Sequence, residues 1–169
     1  MEQPLDLDWR YFSLEQVNWK EGETSKVWEQ PEDSTRSLAA FKGAEAARRQ
    51  GREAFDRFHH ALLHARHREG RDLSRETVLD AAREATLDLE RFTADLESQD
   101  ILDSLARDHQ AATQRGVFGT PTVYFGEGKG AYIKMRPATR GPEALKVFER
   151  VRETVAGDLN IEEIKRPSR

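Results

Sequence analysis

A mixed α/β domain that carries a large helical insertion is the fold class predicted by these 169 residues. Three observations point to it. "LDLDWRYF", residues 5–12, alternates apolar and polar positions with the period of a half-buried strand. Residues 33–115 then hold one segment after another with helical spacing and capping residues. Strand-forming residues return only after Pro121, in "TVYF", and a last helical segment follows them.

In the first segment Leu5, Leu7, Trp9 and Tyr11 share one side. "SLEQVNWKEGETSKVWEQPEDS" reads as an irregular connection broken by Gly and Pro. A helix is expected to begin after Asp33 or Ser34, either of which can cap it, and to run through "LAAFKGAEAARRQ". Gly51 separates it from "REAFDRFHHALLHARHRE", which places Phe55, Phe58, Leu62 and Leu63 on one face and stops at Gly70. "LSRETVLDAAREA" is a helix capped by Ser74, and "DLERFTADLES" is one capped by Asp88. "DILDSLARDHQAATQR" carries Leu102, Leu105, His109 and Ala112 on one stripe and ends at Gly116. Residues 122–126 and 130–135 read as a hairpin around "GEGKG". "GPEALKVFERVRETVAG" closes the fold as a helix with Pro142 near its start and Leu145, Phe148, Val151 and Val155 inward. The tail "IEEIKRPSR" reads as loose.

Composition excludes more than it selects. Charged residues make up 34% but the net charge is −4, with both signs interspersed, so no strong field draws in nucleic acid or an anionic membrane. No apolar run approaches the ~20 residues of a membrane span. "MEQPLDLDWR" lacks the basic and apolar regions of a signal peptide, which makes a cytoplasmic location the expectation. The chain has no cysteine, so no disulfide, thiolate metal site or Cys nucleophile arises within it.

The element order, taken with "GVFGTPT", resembles the DsbA-like branch of the thioredoxin fold, in which a helical domain is inserted between strand 2 and a terminal hairpin plus helix. "DLDWRYFSLEQVN" looks like the second strand and its loop, "FHHALLHARHREGRDLS" like the inserted helical segment, and "GVFGTPTVYF" like the cis-proline loop entering strand 3. The resemblance implies an α/β thioredoxin fold with an inserted helical domain and its N-terminal β-α unit missing. It divides the chain into the second strand and loop (1–32), the inserted helices (33–115), the cis-Pro loop, hairpin and C-terminal helix (116–160), and the tail (161–169). By position alone Pro121 reads as a trans proline opening an edge strand; the resemblance implies a cis Thr120–Pro121 bond. It further implies that Gly119, Thr120 and Pro121 bind substrate, through the Thr120 backbone, by strand addition to a peptide or a thiol tripeptide.

Members of this family place a Cys-x-x-Cys, a lone Cys or a Ser at a helix N-terminus near their start, and no such cysteine occurs here. Three explanations follow. The start is truncated by about 30 residues, the size of a β-α unit; or the chain covers its exposed strand edges by forming a homodimer; or it is a non-catalytic relative that only binds. The implied function is that of a thiol-disulfide oxidoreductase lacking its own nucleophile, with a thiol-linked isomerase or transferase, or a binding module, as alternatives. No tightly bound cofactor is expected; glutathione or mycothiol is the candidate co-substrate. "FSLEQVN", "RDHQ" and "RPATRGPEAL" are similar to the mycothiol-linked reductase group.

Other residues invite chemistry and have plainer readings. His60, His64 and His67 share a helical face, but that face lies opposite Phe55, Phe58 and Leu62 and lacks a completing carboxylate, so no metal site is expected. His59 reads as a partly buried structural residue. His109 lies on an inward stripe ahead of the Gly-Thr-Pro turn; it reads as a core histidine, with a part in catalysis as the alternative. The basic run from Lys42 to Arg71 reads as a solvated helix face, and Trp9, Trp19 and Trp28 as packing around the loop.

Overall fold

The computed structural model describes residues 5–18, 25–126, 128, 130–135 and 139–157. The chain divides into two compact units, residues 1–115 and 116–169.

The first unit is helical. A one-turn helix α1 (Leu14–Val17) is capped by Ser13, whose Oγ accepts the Gln16 N–H at 3.1 Å. The main helices are α2 (Leu38–Arg48), α3 (Arg52–His67), α4 (Arg75–Glu84), α5 (Leu89–Leu96) and α6 (Gln99–Gln114). Helix α2 is the hub and packs on each of the other four. Its composition explains that position: Ala39, Ala40, Gly43, Ala44, Ala46 and Ala47 are all buried, and small side chains let neighbours approach from several sides. The bulk comes from opposite helices. Phe58 and Phe92 are fully buried with ring centroids 5.5 Å apart. The boundaries have local causes. Ser74 and Asp88 accept N–H groups of the first turns of α4 and α5. Gly51 and Gly70 bound α3 with φ of +110° and +71°, the region that glycine enters freely.

Gly43 shows how tight the hub is. A Cβ there would lie 2.6 Å from Val78 Cγ1 and 2.9 Å from the Phe58 ring. Alanine in a helix gains up to about 1 kcal/mol over glycine, whereas overpacking a core costs about 1–3 kcal/mol. Both neighbours are fully buried, so the clash wins. Gly43→Ala is expected to lower stability by about 1–2 kcal/mol, read as a drop of several degrees in Tm; an unchanged or higher Tm would show that the core yields more easily than its packing implies.

Three expectations for this unit need correction. No strand forms over residues 5–12; among the described residues this segment has no ladder partner, and Leu5, Leu7 and Trp9 are exposed. Side chains bind its backbone instead: Arg48 donates to the Trp9 carbonyl at 2.8 Å and Asp108 accepts the Tyr11 N–H at 3.1 Å. The first long helix starts at Leu38 rather than just after Asp33 or Ser34. Glu32–Ser34 form a separate 3-10 turn, where the Ser34 hydroxyl donates back to the Pro31 carbonyl at 2.7 Å instead of capping a helix. Leu63 is exposed, while Phe55, Phe58 and Leu62 are buried.

In the second unit β1 (Thr122–Tyr124) pairs antiparallel with β2 (Gly130–Tyr132), Thr122 opposite Tyr132 and Tyr124 opposite Gly130. Gly130 lets the Tyr124 ring lie across the strand, since a Cβ would meet that ring at 2.5 Å. Both strands are shorter than expected, though the Ile133 N–H still reaches the Pro121 carbonyl at 3.0 Å. Helix α7 (Pro142–Arg152) starts after Gly141 at φ +58° and ends in a π turn, Glu153–Gly157. Phe148 packs edge-on to Phe125 with centroids 5.9 Å apart. Phe148, Val151 and Val155 are half-buried, whereas Leu145, expected inward, is exposed. The expected tail lies outside the described residues.

Candidate functional site

Two clusters hold the residues that sequence reasoning singled out, one in each unit. In the second unit the chain leaves α6 through Gly116 (φ +77°) and turns into β1. The Thr120–Pro121 peptide bond is cis. Gly119 is buried, with the Tyr132 ring 3.2 Å from the place a Cβ would take. The Gly119 carbonyl accepts the Thr122 hydroxyl at 2.7 Å, which ties the start of the turn to the strand. Thr120 and Pro121 are exposed. Among the described residues, neither the N–H nor the C=O of Thr120 takes a hydrogen bond. The turn therefore offers one donor and one acceptor on a fixed backbone, the pair an added strand requires. Phe118, which the sequence reading passed over, is 71% exposed beside this turn.

In the first unit, α6 presents Asp108 and His109 to the segment before α1. Asp108 accepts from the Tyr11 N–H at 3.1 Å and from Arg10 at 3.2 Å. His109 is buried, stacked on Phe12 at 5.0 Å and tilted against Trp28 at 5.4 Å between centroids. Its Nδ1 accepts the Ser13 N–H at 3.2 Å, so the ring proton belongs on Nε2. Burial holds the His109 imidazole below its usual pKa, and Lys26 pushes the same way. Above α6, the Tyr11 hydroxyl donates to Glu45 at 2.9 Å under the Arg48 guanidinium, 4.7 Å from the Tyr11 ring. Burial is the main cause that raises the Tyr11 pKa. Asp108 and Glu45 were not singled out from sequence. Only the place of Asp108 beside His109 in "RDHQ" hinted at it.

The remaining candidates have structural partners. His59 lies between Trp9 and Phe55, at 4.6 and 5.3 Å, and its burial lowers its pKa. His64 faces Glu69 at 3.2 Å. Among the described residues no three His, Cys, Asp or Glu side chains gather as a metal site requires, and no helix is long and apolar enough to cross a membrane. The basic run is largely paired: Lys42 with Glu32, Arg49 with Asp95, Arg52 with Asp6 and Arg71 with Asp80. Trp19 lies outside the described residues.

Comparison with known proteins matches residues 14–148 to the DSBA-like thioredoxin domain. A protein of Mycobacterium tuberculosis, itself described as uncharacterized, is 27% identical over 171 aligned residues, covering 96% of this chain and 70% of its own length. An 84-residue stretch is 38% identical to the Na(+)/H(+) antiporter NhaA of Herminiimonas arsenicoxydans; it covers 48% of this chain but only 13% of the antiporter.

Proposed function

Because the chain belongs to the DSBA-like thioredoxin domain family, we propose that it is the substrate-holding part of a thiol-disulfide oxidoreductase-like protein. The observation that carries this reading is the exposed Thr120–Pro121 turn with both Thr120 backbone groups unbonded among the described residues. An extended substrate pairs there by strand addition, with Gly119 and Pro121 shaping the turn. The chain has no cysteine, so the sulfur that exchanges with substrate comes from outside these 169 residues, with glutathione or mycothiol as the candidate small-thiol co-substrate in the cytoplasm. The absence of cysteine also favours a second reading, a binding module that uses the same turn without turnover. Gly119 is the one buried residue among those described after Arg115, which supports a second copy covering this unit.

Protein purified from its native cells tests these readings together. We expect an intact mass above the 19.4 kDa of this chain, reduction of a small disulfide when a thiol is supplied, and a dimer in sedimentation at micromolar concentration. A 19.4 kDa chain without exchange activity would replace the enzyme reading by the binding module, and a monomer would remove the second copy.

A further inference from the structure

Residues 5–12 alternate like a strand and have no ladder partner among the described residues, yet one of their two edges is already filled. The segment runs without a turn or bend, and none of its residues takes a positive φ. In such a segment the backbone groups of successive residues point to opposite edges. Every bonded one here belongs to an odd-numbered residue. Arg52 donates to the Leu5 carbonyl at 3.4 Å, Arg48 donates to the Trp9 carbonyl at 2.8 Å, and Asp108 accepts the Tyr11 N–H at 3.1 Å. Side chains of the helices thus occupy that edge. The N–H and C=O groups of Asp6, Asp8 and Arg10 belong to the other edge and, among the described residues, take no hydrogen bond. Residues 5–10 are all exposed. An open edge of this kind is a template for another strand.

We propose that a second copy of this chain takes that edge, its own residues 6–10 running antiparallel about a two-fold axis at Trp9. The charges select this register. With the axis at Trp9, Asp8 stands opposite Arg10 of the second copy and Arg10 opposite its Asp8, each in a hydrogen-bonded pair made by the free backbone groups. Trp9 then meets Trp9 at the non-hydrogen-bonded position, where side chains lie closer and aromatic pairs stabilise a sheet. An axis at Asp8 or Arg10 would set like charges face to face, and an axis at Leu7 would set Asp6 against Asp8; like charges directly opposite are destabilising. Asp8 and Arg10 already pair within the chain at 2.7 Å and are exposed, so exchanging partners between copies breaks no buried contact. The surface belongs to the first unit and does not depend on the reading of Thr120.

The chain has no cysteine, so one introduced thiol reports one contact. Trp9→Cys is expected to form a disulfide-linked dimer under mild oxidation, because its counterpart lies directly opposite at a Cα separation of about 5 Å. Leu7→Cys is expected to stay unlinked, because it lies opposite residue 11 and about 13 Å from its own counterpart. A Trp9→Cys chain that links no faster than Leu7→Cys would overturn the pairing. Sedimentation of the unaltered chain between about 1 and 500 µM should show a dimer. Asp8→Arg should weaken that dimer about tenfold, and Asp8→Arg with Arg10→Asp should restore it, since two cross-strand charge pairs change sign each time. A dimer indifferent to Asp8→Arg would be held by another surface and would overturn the proposal. So would a monomer throughout, and slow exchange of the Asp8 and Arg10 amides in that monomer would give the edge to another strand of the same chain.

Discussion

Phe58→Ala is expected to destabilise the first unit by about 3–5 kcal/mol, the range for deleting a buried aromatic ring. The ring is fully buried, lies 5.5 Å from Phe92, and closes over Gly43 on α2. Transfer of that ring out of water is worth only about 1.5–3 kcal/mol, so the rest of the loss would come from the cavity. The surroundings are poorly able to fill it. The facing surface of α2 is mostly alanine, and alanine has no further rotamer with which to move inward. The gap would open against Gly43 and Val78, and glycine has no side chain with which to fill it. A typical domain has about 5–15 kcal/mol of total stability, so the variant should unfold at much lower urea. Chemical denaturation of the two proteins measures this. A loss under 1 kcal/mol would mean that the alanine-rich hub repacks, and it would contradict the rigidity on which the Gly43→Ala expectation also rests.

Elements whose signals are local were legible in the sequence. Ser74 and Asp88 cap the helices they were expected to cap, and Gly51, Gly70 and Gly116 break the chain at positive φ where the helical pattern stops. In each case the information lies within four residues of the boundary. Residues 5–12 failed for the opposite reason. Period-two alternation describes a strand only when a neighbour supplies the ladder, and alternation carries no information about that neighbour. What holds Tyr11 and Ser13 is Asp108 and His109, 97 and 96 residues away, a pairing that no window of the sequence displays. The same holds for Glu45 under Tyr11, which reads in sequence as an ordinary solvated position of α2. Leu145 failed on a subtler point. Helical periodicity placed it on a face, but it cannot tell whether that face has a partner. Phe118 was hidden because an aromatic residue inside a loop reads as packing until its exposure is known.

Two readings of His109 stood open in the sequence, and its geometry sets the second strong expectation. His109→Ala should cost about 2–4 kcal/mol, combining the gap between Phe12 and Trp28 with the loss of the acceptor for the buried Ser13 N–H. His109→Asn places an amide oxygen where Nδ1 stood, so it should recover about 1 kcal/mol of that loss. The pH dependence separates the two contributions. Burial holds the folded imidazole below the usual value, while the unfolded chain binds its proton near pH 6.5. Below about pH 6.5 the unfolded state therefore holds more protons, and stability falls as pH drops toward the lower folded pKa; above that window the contribution is complete and flat. His59 is shifted in the same direction by its own burial, so His109→Asn should flatten the acid slope in part, and a further His59→Asn change should flatten it more. Urea denaturation at pH 7.5 and pH 5.5 for the unaltered chain and both variants reads this directly. An unaltered chain equally stable at both pH values, or a slope that His109→Asn leaves intact, would show that the ring takes up its proton in place. In that case the Ser13 N–H cannot be held by the Nδ1 lone pair, and the anchoring of the segment before α1 would rest on Asp108, Arg48 and Glu45.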